Sequence, residues 1–437
     1  MISKLLLRYN TMVKYLGMRG IQRLGILVME DFLQEGYDAS LIKAADALVI
    51  GCGFAGAVAA RQLAESMGLR VVVVERRPHI AGNAFDHLDD KGVLIHEYGP
   101  HIFHSVSKRV YDYLSGFTEW RSYEHKVLAF LRGIFVPVPF NLNSIELCFE
   151  ESKAKAMREM LLSSYGRGAK VGIIELRKHP DPLLQELADF VYENVFLHYT
   201  MKQWGVTPEE IDPAVTGRVP VLVDEDDRYF QDPYQGMPLD GYTALFERLL
   251  DHPDITVYTN LDARDILTFE EGVEQDAGFT AAKVCNEPYE GLIIYTGALD
   301  ELCDERFGLL PYRSLDFVYR HYDQRFVQPC GTVNFTVSED FTRTSEYTWL
   351  TGQDIDSSTI AEEYPRAYTD PLGQIPYYPI ISDENLAHYE RYLKLFKGLR
   401  NFHVLGRLAE YRYYNMDQIA LRALELVDEI RYEQPAD

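Results

Sequence analysis

The sequence is poor in positive charge, in cysteine and in long apolar runs. Its 437 residues carry 43 Lys and Arg against 67 Asp and Glu, a formal net charge of −24 at pH 7. This charge argues against a surface for nucleic acid, so an anionic ligand would need a local group of arginines. The five cysteines lack C-x-x-C spacing, which favours a reducing, cytoplasmic compartment and no structural zinc or other metal site: Cys52, Cys148, Cys285, Cys303 and Cys330.

The N-terminal stretch has no apolar run that is free enough of charge for a secretory signal or a membrane span. Lys and Arg interrupt the apolar residues every few positions in MISKLLLRYNTMVKYLGMRG. The pattern predicts an N-terminal helical extension, residues 1–45, which packs on the main body or on a subunit partner. A helix lying on a membrane surface is the alternative, but we expect no stable membrane insertion.

A βαβ unit begins at Ala47. Ala47–Ile50 has the length and composition of a buried parallel strand, Ala57–Met67 has helical spacing of its apolar residues, and Val71–Val74 predicts a second buried strand. Between the first strand and the helix stand three glycines in G-x-G-x-x-G spacing: Gly51, Gly53 and Gly56. Glu75 follows the second strand and can accept a hydrogen bond from a ribose hydroxyl. Together these features predict dinucleotide binding rather than an ordinary glycine turn.

The remaining chain alternates between helical and β-rich segments. Residues 127–138 predict a hairpin, and 144–205 predict a helical insertion that ends in HYTMKQWG. Residues 256–258 and 292–296 predict strands that return to the nucleotide-binding sheet, and 312–351 are β-rich. The chain closes with a strand at 402–405, a Gly-Arg turn and a helix at 416–430, an order common where a helix N-terminus faces a cofactor ring.

Several separated blocks together resemble the UDP-galactopyranose mutase family over about residues 46–432. The blocks are GCGFAGAVAA, AGNAF, YGPHIFH, PFNLN, YTMKQWG, YQGMP, DGYT, YRSL, PYYP and GRLAEYRYYNM. The resemblance implies an α/β fold: a Rossmann-like FAD-binding domain, a helical insertion domain and an antiparallel β-sheet domain. The implied divisions are 46–115 with 236–300 and 400–437 for FAD, 140–215 with a mobile loop 214–228 for substrate, and 116–139 with 301–399 for the sheet.

The resemblance also implies roles for individual residues. It implies catalytic positions near the diphosphate and the flavin, at Arg218, Arg343, His101 and His104. The implied substrate-binding positions are Tyr199, Thr200, Trp204, Tyr229, Asn143, Tyr378, Tyr413, Asn415 and Arg313. With the βαβ motif it implies cofactor-binding positions at Gly51, Gly53, Phe54, Ala55, Gly56, Glu75, Arg76, Gly82, Asn83, His101, Gly406, Arg407, Asn415 and Met416. Two guanidinium groups suit a pyrophosphate because arginine bonds it in a bidentate manner that lysine cannot reproduce.

The sequence also departs from the family pattern. Asn415 stands where aspartate is usual, Ala81 where glycine is typical, Leu222 where arginine is frequent and Val195 where phenylalanine is common. Asn415 retains hydrogen bonding but removes a negative charge beside the substrate. This departure leaves room for a sugar, or even a nucleotide, other than that of UDP-galactose.

The resemblance implies an isomerase that interconverts the pyranose and furanose forms of a UDP-sugar. In that chemistry N5 of reduced FAD forms a covalent adduct with the sugar while UDP leaves and later returns, and the enzyme is expected to be a homodimer. Two alternative functions are also those of enzymes: an amine-oxidase-like FAD oxidoreductase, or a mutase for another nucleotide sugar such as UDP-N-acetylgalactosamine. A third is a non-catalytic protein that binds FAD or a nucleotide sugar.

Overall fold

The computed structural model describes residues 37–205, 220–272, 278–371 and 373–433. Within them the strands, numbered along the chain, are β1 (Ala47–Ile50), β2 (Val71–Glu75), β3 (Asp86–Leu88), β4 (Leu94–His96), β5 (Phe103–Ser105), β6 (Trp120–Arg121), β7 (Val127–Leu131), β8 (Ile134–Val138), β9 (Lys170–Val171), β10 (Val221–Leu222), β11 (Tyr234–Pro238), β12 (Ile255–Thr259), β13 (Leu267–Glu271), β14 (Phe279–Val284), β15 (Glu287–Pro288), β16 (Leu292–Tyr295), β17 (Tyr312–Tyr322), β18 (Thr332–Asn334), β19 (Arg343–Glu346), β20 (Ser358–Ala367), β21 (Tyr378–Pro379) and β22 (Phe402–Val404).

The α-helices of the same ranges are α1 (Ala39–Ala44), α2 (Phe54–Met67), α3 (Lys108–Leu114), α4 (Leu142–Cys148), α5 (Glu151–Tyr165), α6 (Ile173–Leu176), α7 (Pro182–Val191), α8 (His198–Trp204), α9 (Tyr242–Leu250), α10 (Ala263–Ile266), α11 (Leu299–Leu302), α12 (Tyr347–Thr351), α13 (Asp383–Phe396) and α14 (Met416–Glu433). A π-helical stretch, Tyr192–Leu197, joins α7 to α8. A 3-10 turn spans Gly82–Ala84.

A five-stranded parallel sheet forms the first layer, in the order β12-β2-β1-β16-β22. Its central strands β1 and β2 are buried along their whole length, because apolar clusters cover both faces of the sheet. One face packs on α2, α9 and α14, and the other on α13 and the hairpin β13–β14. The Rossmann-like fold and the returning strands at 256–258, 292–296 and 402–405 are thus confirmed within a residue or two.

A seven-stranded sheet forms the second layer, in the order β21-β17-β20-β19-β18-β7-β8. The predicted hairpin at 127–138 is confirmed as β7 and β8 at its edge. The sheet was expected to be antiparallel, and one neighbouring pair, β18 with β7, is instead parallel. This pair can run parallel because some two hundred residues, not a tight turn, connect the two strands.

A further apolar cluster, besides the two that cover the parallel sheet, joins the helical segment to one face of β7 and β8. The prediction of a helical insertion at 144–205 is confirmed, with one addition: it contains the short strand β9, which pairs with β10 farther along the chain. Residues 1–36 of the predicted extension lie outside the described residues, and so do residues 214–219 of the predicted loop. The described end of the extension is α1, which packs on the parallel sheet.

The helix after β1 starts three residues earlier than its apolar spacing predicts, at Phe54 instead of Ala57. Gly56 therefore lies in the first turn of α2, where a Cβ atom would be 1.9 Å from the carbonyl oxygen of Gly51. Helix and strand approach each other so closely here that only a residue without a side chain fits.

We predict that Gly56→Ala lowers the free energy of unfolding by about 3 kcal/mol or more, because backbone atoms must shift to admit the methyl group. Gly68→Ala is the matched control: Gly68 caps the C-terminal end of the same helix, has φ +65° and has no neighbouring atom within 4 Å of the added Cβ. Its cost is the left-handed backbone alone, about 1 kcal/mol. Urea unfolding compares the two variants, and equal losses would contradict the close-approach argument.

Candidate active site

The first cavity lies at the carboxyl edge of the parallel sheet. The loops that follow β1 and β16 line it with Gly51 and Thr296, and Gly406 follows β22. Gly51 has φ +100°, and a Cβ atom there would lie 2.0 Å from Thr296 Oγ1, which donates to the carbonyl of Ile50 at 2.7 Å. Ligands of open parallel sheets bind at this edge, so the cavity is in the expected place for a dinucleotide.

Two glycine turns meet backbone to backbone across this cavity. A Cβ atom on Gly82, whose φ is +55°, would lie 2.8 Å from the Cα atom of Gly53. Ala81, which precedes Gly82, also has a left-handed backbone, with φ +71°. This conformation explains why a glycine would suit position 81 and shows that alanine is accommodated there at some strain.

The charged groups of the first cavity are anchored by hydrogen bonds. Glu75 accepts from the backbone N–H groups of Cys52 at 2.9 Å and of Arg77 at 3.0 Å. Arg76 forms an ion pair with Glu301 at 2.8 Å. Arg77 donates through Nη2 to Asn83 Oδ1 at 2.9 Å, whereas its buried Nη1 has no partner among the described residues. A buried donor without a partner on a cavity wall suits an anionic group of a ligand.

The second cavity has aromatic walls. The rings of Trp204 and Tyr378 lie 5.9 Å apart, and the ring of Tyr378 stacks on that of Tyr413 at 5.7 Å. The guanidinium of Arg407 lies 5.2 Å from the centre of Tyr378 and 5.1 Å from that of Tyr413. Flat aromatic rings with polar edges suit a nucleotide base or the face of a sugar.

A partly buried ion pair lies on the wall of the second cavity. Arg343 donates through Nε and Nη2 to Glu363 Oε2, both at 2.8 Å. Burial alone would lower the pKa of Arg343, but the carboxylate of Glu363 outweighs it, and the pKa is raised well above its usual value. Arg343 is therefore a permanent cation on the wall of a cavity in an acidic protein.

His101 lies between the two cavities and lines both. Its Nδ1 is 2.9 Å from the carbonyl oxygen of Gly99. A carbonyl only accepts, so this contact assigns the proton of the neutral ring to Nδ1 and leaves Nε2 as an acceptor. Burial lowers the pKa of His101 to about 3, with the cations of Arg407 and Arg343 acting in the same direction. The ring is thus a neutral acceptor at physiological pH.

The structure brings most of the predicted site residues into the two cavities. The first is lined by Gly51, Gly53, Phe54, Ala55, Glu75, Arg76, Gly82 and Gly406, and the second by Tyr199, Thr200, Trp204, Tyr229, Arg343, Tyr378 and Tyr413. The residues that line both cavities include Asn83, His101, Arg407, Asn415 and Met416. Arg218 lies outside the described residues.

Four predicted residues stand behind the cavity walls of the described chain. Gly56 serves the approach of α2 to β1. His104 binds Asp232 at 2.5 Å and stacks on Phe230 at 3.6 Å between ring centres, so it supports a cavity residue without lining the cavity. Asn143 donates to the Glu225 carbonyl and to Asp227. Arg313 donates to two main-chain carbonyls at the end of α8.

The sequence analysis missed some residues of the second cavity, among them His125, Phe230 and Glu363. Glu363 could have been found from strand alternation, since Glu362 and Glu363 are adjacent on β20 and only one can face outward. His125 gave no signal, because it stands between Glu124 and Lys126 in a segment that resembles a solvated loop.

The described residues contain no group of three His, Cys, Asp or Glu side chains arranged to hold a metal ion. Over the same ranges, every helix is too short or too polar to cross a bilayer.

Comparison with known proteins decides the family. The family model described as UDP-galactopyranose mutase matches residues 194–413, and a model of an NAD(P)-binding Rossmann-like domain matches residues 49–117. A probable UDP-galactopyranose mutase of Klebsiella pneumoniae is 34% identical over 385 residues, which cover 87% of this chain and 94% of that protein. The chain belongs to the UDP-galactopyranose mutase family. The predicted isomerase is thereby confirmed, as a pyranose/furanose mutase.

Other relatives extend this result. A UDP-galactopyranose mutase of Mycoplasma pneumoniae is 32% identical over 88% of this chain and 96% of its own length. A dTDP-fucopyranose mutase of Escherichia coli is 32% identical over 86% of this chain and 96% of its own length. A crystal structure of reduced UDP-galactopyranose mutase matches with a TM-score of 0.65, covering 90% of this chain and 95% of that one at 15% identity, which bears on the fold alone.

The buried histidines make stability dependent on pH. Burial lowers the pKa values of His96, His101 and His125 to about 3, from 6.5 for an exposed ring. The unfolded chain therefore takes up protons below pH 6.5 that the folded chain does not. The contribution of these histidines to the free energy of unfolding is fully present above about pH 6.5 and is lost as the pH decreases toward 3.

We predict that each of these histidines contributes a loss of up to about 1.4 kcal/mol per pH unit below pH 6. Urea unfolding at pH 7, 6 and 5 measures the slope, and His96→Gln should reduce it by up to that amount. His87→Gln is the contrast, because at His87 the effect of burial is outweighed by the hydrogen bond that the ring donates to Glu97, and the pKa is raised. A His96→Gln slope equal to that of the unmodified protein would contradict the prediction.

Proposed function

We propose that this chain is an FAD-dependent mutase that interconverts the pyranose and furanose forms of a UDP-sugar. The observation that carries the proposal is that the two cavities share a wall. A dinucleotide that fills the first cavity reaches the second at residues common to both, which include Asn83, His101, Tyr377, Arg407, Asn415 and Met416. A cofactor ring there and a sugar in the second cavity would be in contact.

The residues of the first cavity fit FAD. The Gly53–Gly82 contact leaves backbone, with no side chain, to face a pyrophosphate, and Arg77 Nη1 is a buried donor still without a partner among the described residues. Glu75 suits the ribose of the adenosine. When bound in its reduced form, the flavin supplies a nucleophilic ring nitrogen for the anomeric carbon, which explains why the site needs no protein nucleophile.

The side chains of the second cavity bind, orient and stabilise charge. Arg343, with Arg218 as the second arginine implied by the resemblance, neutralises the diphosphate as it leaves the sugar and keeps it bound for its return. Glu363 fixes the direction of the Arg343 guanidinium. Nδ1 of His101 bonds the Gly99 carbonyl, which leaves Nε2 as an acceptor for a ligand at the junction of the two cavities. The aromatic walls keep water from the opened sugar.

The nucleotide and the sugar are separate choices within this proposal. UDP-galactose is the first candidate, since the family model and two relatives carry that name. The E. coli relative is named for dTDP-fucopyranose, which supports testing another nucleotide sugar. Asn415 lines both cavities and replaces a carboxylate expected there. It therefore lies where a side chain can influence which sugar is bound.

The deciding experiment is turnover of purified protein with UDP-galactofuranose, with and without dithionite, the product being separated by chromatography. Conversion to UDP-galactopyranose only under reduction supports the proposal, and the absorption spectrum reports bound FAD. UDP-N-acetylgalactosamine and dTDP-fucose complete the panel. Yellow protein that converts none of them supports the non-catalytic alternative. Bleaching of the flavin by a substrate without oxygen, followed by reoxidation in air, supports the oxidoreductase.

We predict that Arg343→Lys lowers kcat/KM at least about hundredfold, because lysine cannot form the bidentate contacts of arginine. The charge next to Glu363 is retained, so the fold should survive. Arg320→Lys is the matched control: Arg320 lies on the same sheet, is exposed and pairs with Glu362. It should stay within threefold of the unmodified enzyme. Arg218→Ala tests the second arginine, and full turnover in both the Arg343 and Arg218 variants would refute the mechanism.

The predicted homodimer and cytoplasmic location remain part of this proposal. Light scattering during gel filtration of the holoenzyme measures the first.

A further inference from the structure

Arg313 joins the helical segment to the seven-stranded sheet. From β17 its side chain reaches the last turn of α8, where Nε donates to the carbonyl of Gln203 at 2.8 Å and Nη2 to that of Lys202 at 3.1 Å. The final carbonyls of a helix have no partner within the helix and form its negative end. A guanidinium with two directed donors therefore fixes both the position and the rotation of this helix end.

The main chain of Arg313 holds the opposite wall of the second cavity. Its carbonyl accepts from Tyr377 N at 2.9 Å, and in the ladder between β17 and β21 it stands opposite Tyr378. Trp204, the last residue of α8, faces Tyr378 at 5.9 Å between ring centres. A single residue thus bonds directly to the elements that carry both rings of the aromatic gap.

The environment of Arg313 is unusual for a buried cation. The residue is 8% exposed, and no carboxylate in the described ranges forms an ion pair with it. Burial of an unpaired guanidinium is costly, and two carbonyl partners offset only part of that cost. An apolar residue would be the cheaper choice if the position served packing alone.

Two neighbouring features match this contact. Gly205 ends α8 with φ +76°, and a Cβ atom there would lie 3.1 Å from Nη1 of Arg313. Lys202 extends from the same turn in the other direction, and its Nζ donates to the carbonyls of Phe335 at 2.9 Å and Glu339 at 2.5 Å. The helix end is therefore held to the sheet at two places, of which Arg313 is the one next to the aromatic gap.

We propose that Arg313 is a positioning residue that sets the gap between Trp204 and Tyr378, and thereby the affinity of the enzyme for its nucleotide. The inference rests on the proposed function, because it takes the occupant of the gap to be the nucleotide part of the substrate. It replaces the expectation that Arg313 contacts the substrate itself.

The test compares Arg313→Met, Arg313→Lys and the control Arg320→Met, all as FAD holoenzymes. Arg320 lies on the same strand but is exposed and outside both cavities. We expect Arg313→Met to raise the Kd for UDP, measured by calorimetry, and the KM at least tenfold, with kcat within threefold. Arg313→Lys should recover part of the affinity, and Arg320→Met should match the unmodified enzyme. An unchanged Kd in folded Arg313→Met overturns the inference.

A measurement without nucleotide separates this inference from the proposed function. Hydrogen exchange should become faster at residues 198–205 in Arg313→Met and stay unchanged elsewhere. Faster exchange throughout, with a lower Tm and equal losses in kcat and kcat/KM, would indicate a general structural role and overturn the inference. If unmodified holoenzyme binds no UDP, the proposed function fails, while the exchange result still decides whether Arg313 holds the helix end.

Lys202→Met keeps the inference testable if Arg313→Met does not fold. Lys202 is half-exposed, so its loss should leave the fold intact, and it removes the second attachment of the same helix end. We expect a smaller increase in the Kd for UDP, about threefold, with faster exchange confined to the same residues. No change in either quantity would then count against positioning by the helix end.

Discussion

The site depends on the close approach of backbone to backbone at one edge of the parallel sheet. Gly56 lets α2 lie against the turn after β1, and Gly53 meets Gly82 across the first cavity. Because parallel strands end at the same edge, the turns that follow β1 and β2 converge there. At the Gly53–Gly82 contact the wall of the first cavity is therefore main chain, which has less freedom than a side chain with several rotamers.

The two cavities meet at residues that line both of them. The turn after β22 carries Arg407, whose guanidinium donates to the carbonyls of Tyr377 and Tyr414 and lies over Tyr378 and Tyr413. This one side chain ties the parallel sheet to the aromatic wall on the other sheet. The relative position of the two cavities is thus set by contacts between the two layers and not by either layer alone.

The sequence predicted the elements better than the contacts between them. G-x-G-x-x-G with Glu75 predicted the first cavity, because that motif is local and its physics is carried by the backbone. The pairing of Arg343 with Glu363 joins neighbouring strands, and the positions of Arg313 and His104 behind the walls depend on packing between layers. Motif similarity identified all of these residues except Glu363 as site residues, but it could not separate those that line a cavity from those that hold its lining.

The acidic composition of the chain affects how the arginines of the site can bind an anion. With a net charge of −24, the surface repels a nucleoside diphosphate, so binding depends on cations that are shielded from that field. Arg343 is partly buried against Glu363, which keeps it charged and fixes its orientation but cancels the net charge of the pair. An anion that enters must then compete with Glu363 for the same guanidinium, so its affinity comes from geometry and several partners together. Under the proposed function, such a site would hold the departing diphosphate by directed hydrogen bonds more than by net charge, which suits a reaction in which the diphosphate must return.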